Sequence, residues 1–352
     1  MGLNGGSMSI TLTHKHIAHM LLGSSIYSTG GGLEYGAQKK LFAGLLKQQK
    51  NLALLSIDEL PDEAYICTAY AVGSAGTTDV NLSYHLQLAL QTLERETKRK
   101  FSAIFAGETN IDALVFGAAS NVGLPVLDAD ATGGRAVPEI AMDNFVVAGK
   151  RMTPTVAVTL EGDVQTLADE ADARKIEEFV RAMAGRSKAG VVAVVDHAVR
   201  VGDAKNVLTL GIFARAIDLG GYIEAHRKRK NIIELLAQKI GARVIMRGTV
   251  TEVSLVDDRK EGFLVGHYIV HGANGGTLKV YVKNENILAR YNDRVAVVPP
   301  DFIMTIDTTR LIGVHNSTIR HGQPVAVLTM KADSLWNSKK GRAIFSAEHF
   351  GF

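Results

Sequence analysis

The chain has 352 residues, more than twice the roughly 150 typical of one domain, so two domains are expected. Hydrophobic residues make up 46% and charged residues 21%, a globular balance that excludes disorder and supplies a sizeable core. Lys and Arg number 39 against 36 Asp and Glu, a net charge of +3, too even for a protein built around nucleic-acid phosphates.

Cys67 is the only cysteine, which excludes a disulfide framework and a Cys-rich zinc site and fits a reducing, cytoplasmic setting. The longest apolar stretch, Ala189 to Val195, falls far short of the ~20 residues that cross a bilayer, and no signal pattern opens the chain. Neither nucleic acid nor membrane is therefore an expected partner. Met1 to Ser7, polar and Gly-rich, is set aside as a leader.

Thr13 predicts a capped helix over His14 to Leu22, with Leu12 and Ile17 spaced as a hydrophobic staple and Gly23 as its stop. The Gly-rich segment Ser24 to Gly36 reads as a loop into a second helix, Ala37 to Gln49. Asn51 to Ser56 and Ala64 to Val72 read as strands, and Leu82, Leu86, Ala89, Leu90 and Leu93 recur at helical spacing. A strand at Phe101 to Ala106, a helix at Ile111 to Val122 closed by Gly123, and a strand at Pro125 to Asp130 complete the alternation. This order predicts an α/β N-terminal domain with a mostly parallel sheet, over residues 8–152.

Residues 153–352 form the second expected domain, with an α/β portion over 153–240. There, a hairpin at Glu161-Gly162-Asp163 precedes a helix carrying Ile176, Phe179, Val180 and Met183, then a buried strand, Val191 to Val195. Helices follow at Asn206 to His226 and Asn231 to Ile240. Beyond Gly241 the helices stop, and short strands with turn signals such as Asn274-Gly275 predict that 241–352 is mainly β, a sandwich or open barrel.

Most site motifs fail. Gly30-Gly31-Gly32 could let backbone N–H groups approach an anion or substrate, but Ala37-Gln38 stands where a P-loop needs Lys and Ser/Thr, and no strand precedes a dinucleotide fingerprint. No nucleotide cofactor is expected. His14, His16 and His19 lack an HExxH or third-ligand pattern and read as a solvated helix end; Arg227 to Lys230 reads as a solvated face, and Cys67 as a buried thiol.

Chemistry concentrates between Gly107 and Glu139. Asp128 and Asp130 leave a strand at its carboxyl end, where open α/β sheets bind ligands, and their spacing puts them on one face. Such a pair can divide into acid and base or hold a divalent metal; Glu108 and Asn110 leave a neighbouring strand at a comparable end. Arg135 could fix a carbonyl or developing negative charge, and Glu139 follows one turn later. The alternative is a structural Asp-Arg network that pins a Gly loop.

These blocks, Thr29 to Gly32 with Tyr35-Gly36, Gly123 to Asp130, Gly134 to Glu139, Ala216 to Gly220, Arg247-Gly248, Asn284 to Ala289 and Pro300 to Ile303, together resemble the S-methyl-thiohydantoin desulfurase-like family over nearly the whole chain. Its members stand beside, or are fused to, hydantoinase/oxoprolinase subunits. The resemblance implies a hydrolase of a five-membered cyclic amide that releases methanethiol. Water activated by Asp128, Asp130 or Glu108 would attack the carbon bearing the S-methyl group, with Asp130 the expected base and Asp128 or Glu139 the acid or orienter. Gly30, Gly31, Gly32, Asn110 and Arg135 are the expected substrate contacts, joined by Glu285 and Asn286 if Asn284-Glu285-Asn286 reaches the domain cleft rather than closing a β-turn. The rival reading is a non-catalytic binding or regulatory subunit of a hydantoinase/oxoprolinase-type system. No pattern bears on a homo-oligomer.

Overall fold

The computed structural model describes residues 9–76, 80–258 and 261–352, so the Met1 to Ser7 leader lies outside the described residues. A short strand β1 (Ile10–Thr11) leads into helix α1 (His14–Tyr27), capped as expected: the Thr13 hydroxyl accepts the His16 N–H at 3.2 Å, and the His16 ring accepts the Thr13 N–H at 3.3 Å. Gly23 does not end this helix. A Cβ there would come within 2.0 Å of the Ala216 carbonyl oxygen, so the glycine serves close helix packing instead.

The chain continues through α2 (Tyr35–Lys47), β2 (Ala53–Leu55), β3 (Tyr65–Gly73), α3 (Ser83–Thr97), β4 (Phe101–Ala106), α4 (Asp112–Val122) and β5 (Val126–Asp130). Strands β2, β5, β4 and β3 pair in parallel, in that order, and form the centre of the first sheet. A short helix α5 (Asn144–Val147) follows. Next come β6 (Thr155–Thr159), β7 (Val164–Leu167), α6 (Ala173–Arg186) and β8 (Val191–Val195). Strand β8 pairs antiparallel with β3 and carries β6 and β7 beyond it, so residues 155–195 extend the first sheet rather than begin another.

The expected helix over Asn206 to His226 is shorter than its pattern. After β9 (Val199–Arg200) and α7 (Val201–Ala204), β10 (Thr209–Leu210) pairs with the end of β5, and only then does α8 (Ile212–His226) begin. Gly211 turns the chain at φ +74° while its N–H bonds the Asp128 carbonyl at 2.8 Å. Helices α1 and α8 then pack along one another, and α9 (Ile232–Ile240) closes the helical part at Gly241.

The second sheet holds β11 (Arg243–Asp258), β12 (Phe263–Gly272), β13 (Thr277–Lys283), β14 (Glu285–Tyr291), β15 (Arg294–Val297), β16 (Phe302–Asp307), β17 (Ile312–Gly313) and β18 (Pro324–Met330). All its pairings are antiparallel, in the order β15-β14-β13-β12-β11-β18-β16-β17. The sheet curls until β14 meets β16: Asn286 Nδ2 donates to the Ile303 carbonyl at 3.0 Å, although four strands separate the two in the ladder. The result is an open barrel. Period-two alternation builds it, with Val250, Leu278, Ile303 and Val327 in one core while Leu288, Phe302, Met304 and Leu328 meet the helices on the other face. One helix follows the strands, α10 (Lys339–Ile344), held by the Ser338 hydroxyl on the Gly341 N–H; its short length gives little periodic signal. Among the described residues no helix is long and apolar enough to cross a membrane.

Candidate active site

The carboxyl ends of β3, β4 and β5 and the turn before β14 enclose a cavity of about 110 Å3. Its polar wall begins with Glu108, which follows β4. Glu108 Oε2 accepts the Val137 N–H at 2.9 Å. Burial nevertheless lifts this carboxyl to about 8, with Asp130 adding to the effect.

Glu285 enters from the other domain. Asn284 takes a left-handed turn at φ +56°, and its Oδ1 accepts N–H groups from Ala75 at 3.0 Å and Leu264 at 2.8 Å, one from each domain. This turn aims Glu285 at Gly31, where a Cβ would stand 1.7 Å from Glu285 Oε1. Burial and repulsion from Glu108 push the Glu285 carboxyl well above the usual range, partly offset by Arg135. Glu285 Oε2 is buried without a hydrogen-bond partner.

A third group comes from the end of β8. His197 sits at φ +51°, an uncommon conformation for a non-glycine residue, with Nδ1 2.5 Å from Asp196 Oδ1. Asp196 also accepts from the Thr68 hydroxyl at 2.5 Å and the Tyr70 hydroxyl at 2.7 Å. Burial favours neutral imidazole, but the Asp196 and Asp143 carboxylates outweigh it and raise His197 to about 10, so the ring is an imidazolium at neutral pH. Its Nε2 lies 3.4 Å from Asp143 Oδ1, out of hydrogen-bond alignment, and so keeps an unspent donor in the cavity wall.

The other expected site residues fall in different places. Asp128 and Asp130 do not line the cavity. Asp128 caps α8, its carboxylate accepting the Phe213 N–H at 2.7 Å and the Ala214 N–H at 3.3 Å. Asp130 holds the following loop, accepting from the Thr109 hydroxyl at 2.8 Å, the Gly134 N–H at 3.0 Å and the Thr132 N–H at 3.2 Å. Burial raises both carboxyls to about 6, but their lone pairs are already committed. The expectation that this pair opens onto a ligand is corrected accordingly: the sheet spends it on a helix start and a Gly loop. Among the described residues no group of three or more His, Cys, Asp or Glu is placed to hold a metal ion.

Arg135 does not line the cavity but is buried behind Glu285, whose charge it favours. Its Nη1 donates to the Pro300 carbonyl at 2.6 Å, and its guanidinium lies between the Phe302 and Phe345 rings. Asn286 is spent on the β14–β16 contact. Asn110 spans the Gly loop by donating to the Gly31 and Leu33 carbonyls at 2.9 Å each. Gly30 packs on Asn316, and of the three glycines only Gly32 reaches the cavity. Glu139 does line it, paired to Lys283 at 2.5 Å and His349 at 2.7 Å; burial opposes its ionisation, but the Lys283 ammonium and the His349 ring together hold it below the usual carboxylate range.

No sequence motif singles out His197, Asp196, Tyr70 or Asp143. One signal is present in the sequence, an Asp-His pair at the exit of a five-residue apolar strand.

Two family models match this chain: S-Me-THD-like, N-terminal domain, over residues 15–169, and S-Me-THD-like, C-terminal domain, over residues 171–352. A crystal structure of a protein from Chromobacterium violaceum, a structural-genomics target, has the same fold with a TM-score of 0.82 at 18% identity, covering 98% of each chain. No curated protein matches the sequence.

Proposed function

Because the chain belongs to the S-Me-THD-like family, we propose that it hydrolyses an S-methylated thiohydantoin, a five-membered cyclic amide, to the hydantoin and methanethiol. The observation that carries this reading is the buried carboxyl pair, Glu108 and Glu285, which meets across the domain interface in a cavity the size of a small ring. Two carboxyls so placed cannot both ionise readily, so one is left as acid and the other as base.

Ionised Glu108 takes a proton from water, whose oxygen bonds to the ring carbon bearing the S-methyl group, while protonated Glu285 gives its proton to the adjacent ring nitrogen. The tetrahedral centre then collapses. Its hydroxyl proton returns to Glu285, the carbon–sulfur bond breaks, and sulfur leaves as methanethiol with the proton held by Glu108. The His197 Nε2–H, held cationic by its two aspartates, supports this reading as a donor to the ring carbonyl oxygen.

Methanethiol release from a panel of S-methyl-thiohydantoins tests the assignment. Glu108→Gln and Glu285→Gln are each expected to lower kcat by about 100-fold or more, the usual range for a positioned acid or base, with native folding retained. Since Glu108 must lose its proton to act, kcat/KM should rise with pH around a midpoint near 8. Full turnover by both variants would refute the carboxyl-pair mechanism, and no release from any member by folded wild-type protein would refute the desulfurase reading.

A further inference from the structure

The cavity has a second, apolar wall with a different origin from the carboxyl pair. Val72 lies near the end of β3, Val80 and Leu82 precede α3, Ile111 caps α4 and Leu114 stands in its first turn, and Val191 begins β8. None of these side chains brings a polar group, and several are among the best-buried residues of the main core. The reacting groups all lie on other elements: the loop after β4, the turn before β14 and the end of β8.

The charges of the wall decide what this apolar side can accept. Arg181 is its one arginine among the described residues, and that guanidinium is fully engaged, with Nε on Glu177 at 2.5 Å, Nη1 on the Gly262 carbonyl and Nη2 on the Pro138 carbonyl at 2.9 Å each. The His197 imidazolium is flanked by two aspartates, and Glu108, Glu139, Asp143 and Glu285 share the same wall. Among the described residues the one cationic donor left open to the cavity is the His197 Nε2–H, which the ring carbonyl oxygen takes, so a carboxylate arm on the substrate would be desolvated among acids with no cation of its own.

We infer that this site selects rings whose substituent is uncharged and apolar, an aliphatic or aromatic group seated against Val72, Leu82 and Leu114, and rejects rings carrying a carboxylate arm. The inference rests on the cyclic-amide reading above and names the substrate class within it. Val72, Leu82 and Leu114 are then specificity residues that touch the substituent and not the reacting carbon.

Calorimetric binding of four unreactive hydantoins to the full chain separates the two claims. The rings are unsubstituted, 5-isobutyl, 5-benzyl and 5-(2-carboxyethyl) hydantoin. The isobutyl and benzyl rings are expected to bind at least tenfold tighter than the unsubstituted one, and the carboxyethyl ring more weakly than any. Leu114→Ala should weaken isobutyl binding several-fold more than it weakens binding of the unsubstituted ring; Val72→Thr, a milder polar change, should do the same by a smaller factor. Carboxyethyl binding equal to or tighter than isobutyl would overturn the selectivity and leave the ring reading intact. Binding of none of the four would overturn both.

Discussion

At the scale of single residues, the same chemical type serves opposite ends depending on what surrounds it. Asp128 stands in the parallel strand β5 and Glu108 just beyond the end of β4, but Asp128 meets the free N–H groups of α8 and Glu108 faces the cavity. Asp128→Ala should therefore cost about 1 kcal/mol of stability, the usual loss for a helix cap, and leave the turnover of folded enzyme near that of wild type. Denaturant melting beside a methanethiol assay reads both quantities. A loss of turnover without a loss of stability would return Asp128 to the chemistry. Sequence spacing could place Asp128, Asp130 and Glu108 at strand ends, but it could not say which of them found backbone donors, because those donors lie up to 86 residues away. Glu285 and Asn286 were legible only as a pair of polar residues; a left-handed Asn284 decides that the first faces the cavity and the second the barrel.

At the scale of elements, periodicity identified the longer strands and most of the longer helices because burial imposes it, while two-residue strands such as β9 and β10 are too short to carry a period. Phe101 to Ala106 and Val191 to Val195 are strands with the expected bounds. Glycine misled at Gly23, read as a stop. Gly23 and Gly220 lie inside α1 and α8 and serve packing, and a Cβ on Gly220 would stand 2.0 Å from the His19 carbonyl oxygen. That obstacle is backbone, which cannot rotate aside. Gly220→Ala should accordingly destabilise the protein by about 1–3 kcal/mol, the range for overpacking, despite the better helix propensity of alanine. A stability equal to or above wild type would mean that the two helices can separate at no cost. The α1–α8 crossing also fixes the Gly loop after α1, whose Gly31 leaves room for Glu285, so the effect should extend to activity.

Across the whole molecule, carboxyls buried within the first domain and at its junction with the second sheet give the fold a definite dependence on pH. Burial raises Asp128 and Asp130 to about 6, Asp112 to about 7 and Glu108 to about 8. An unfolded chain releases these protons near pH 4, while the folded chain keeps them until pH 6 to 8. Over that interval the unfolded state binds fewer protons, so stability falls as pH rises. His197 acts in the same direction, because an imidazolium held to about 10 contributes stability that is complete below its unfolded value near 6.5 and lost as pH climbs towards 10. The denaturation midpoint should consequently be higher at pH 5.5 than at pH 8.5. Asp112 isolates one part of this slope: its Oδ2 is buried without a partner at the start of α4 and lies outside the cavity wall. Asp112→Asn removes that ionisation, which costs about 1.4 kcal/mol for each tenfold gain in proton affinity on folding, and should flatten the fall and stabilise the protein at pH 8.5 relative to wild type. A profile that is flat or rises between pH 5.5 and 8.5, or an Asp112→Asn variant with the unaltered slope, would show that these carboxyls ionise in the folded protein as they do in water.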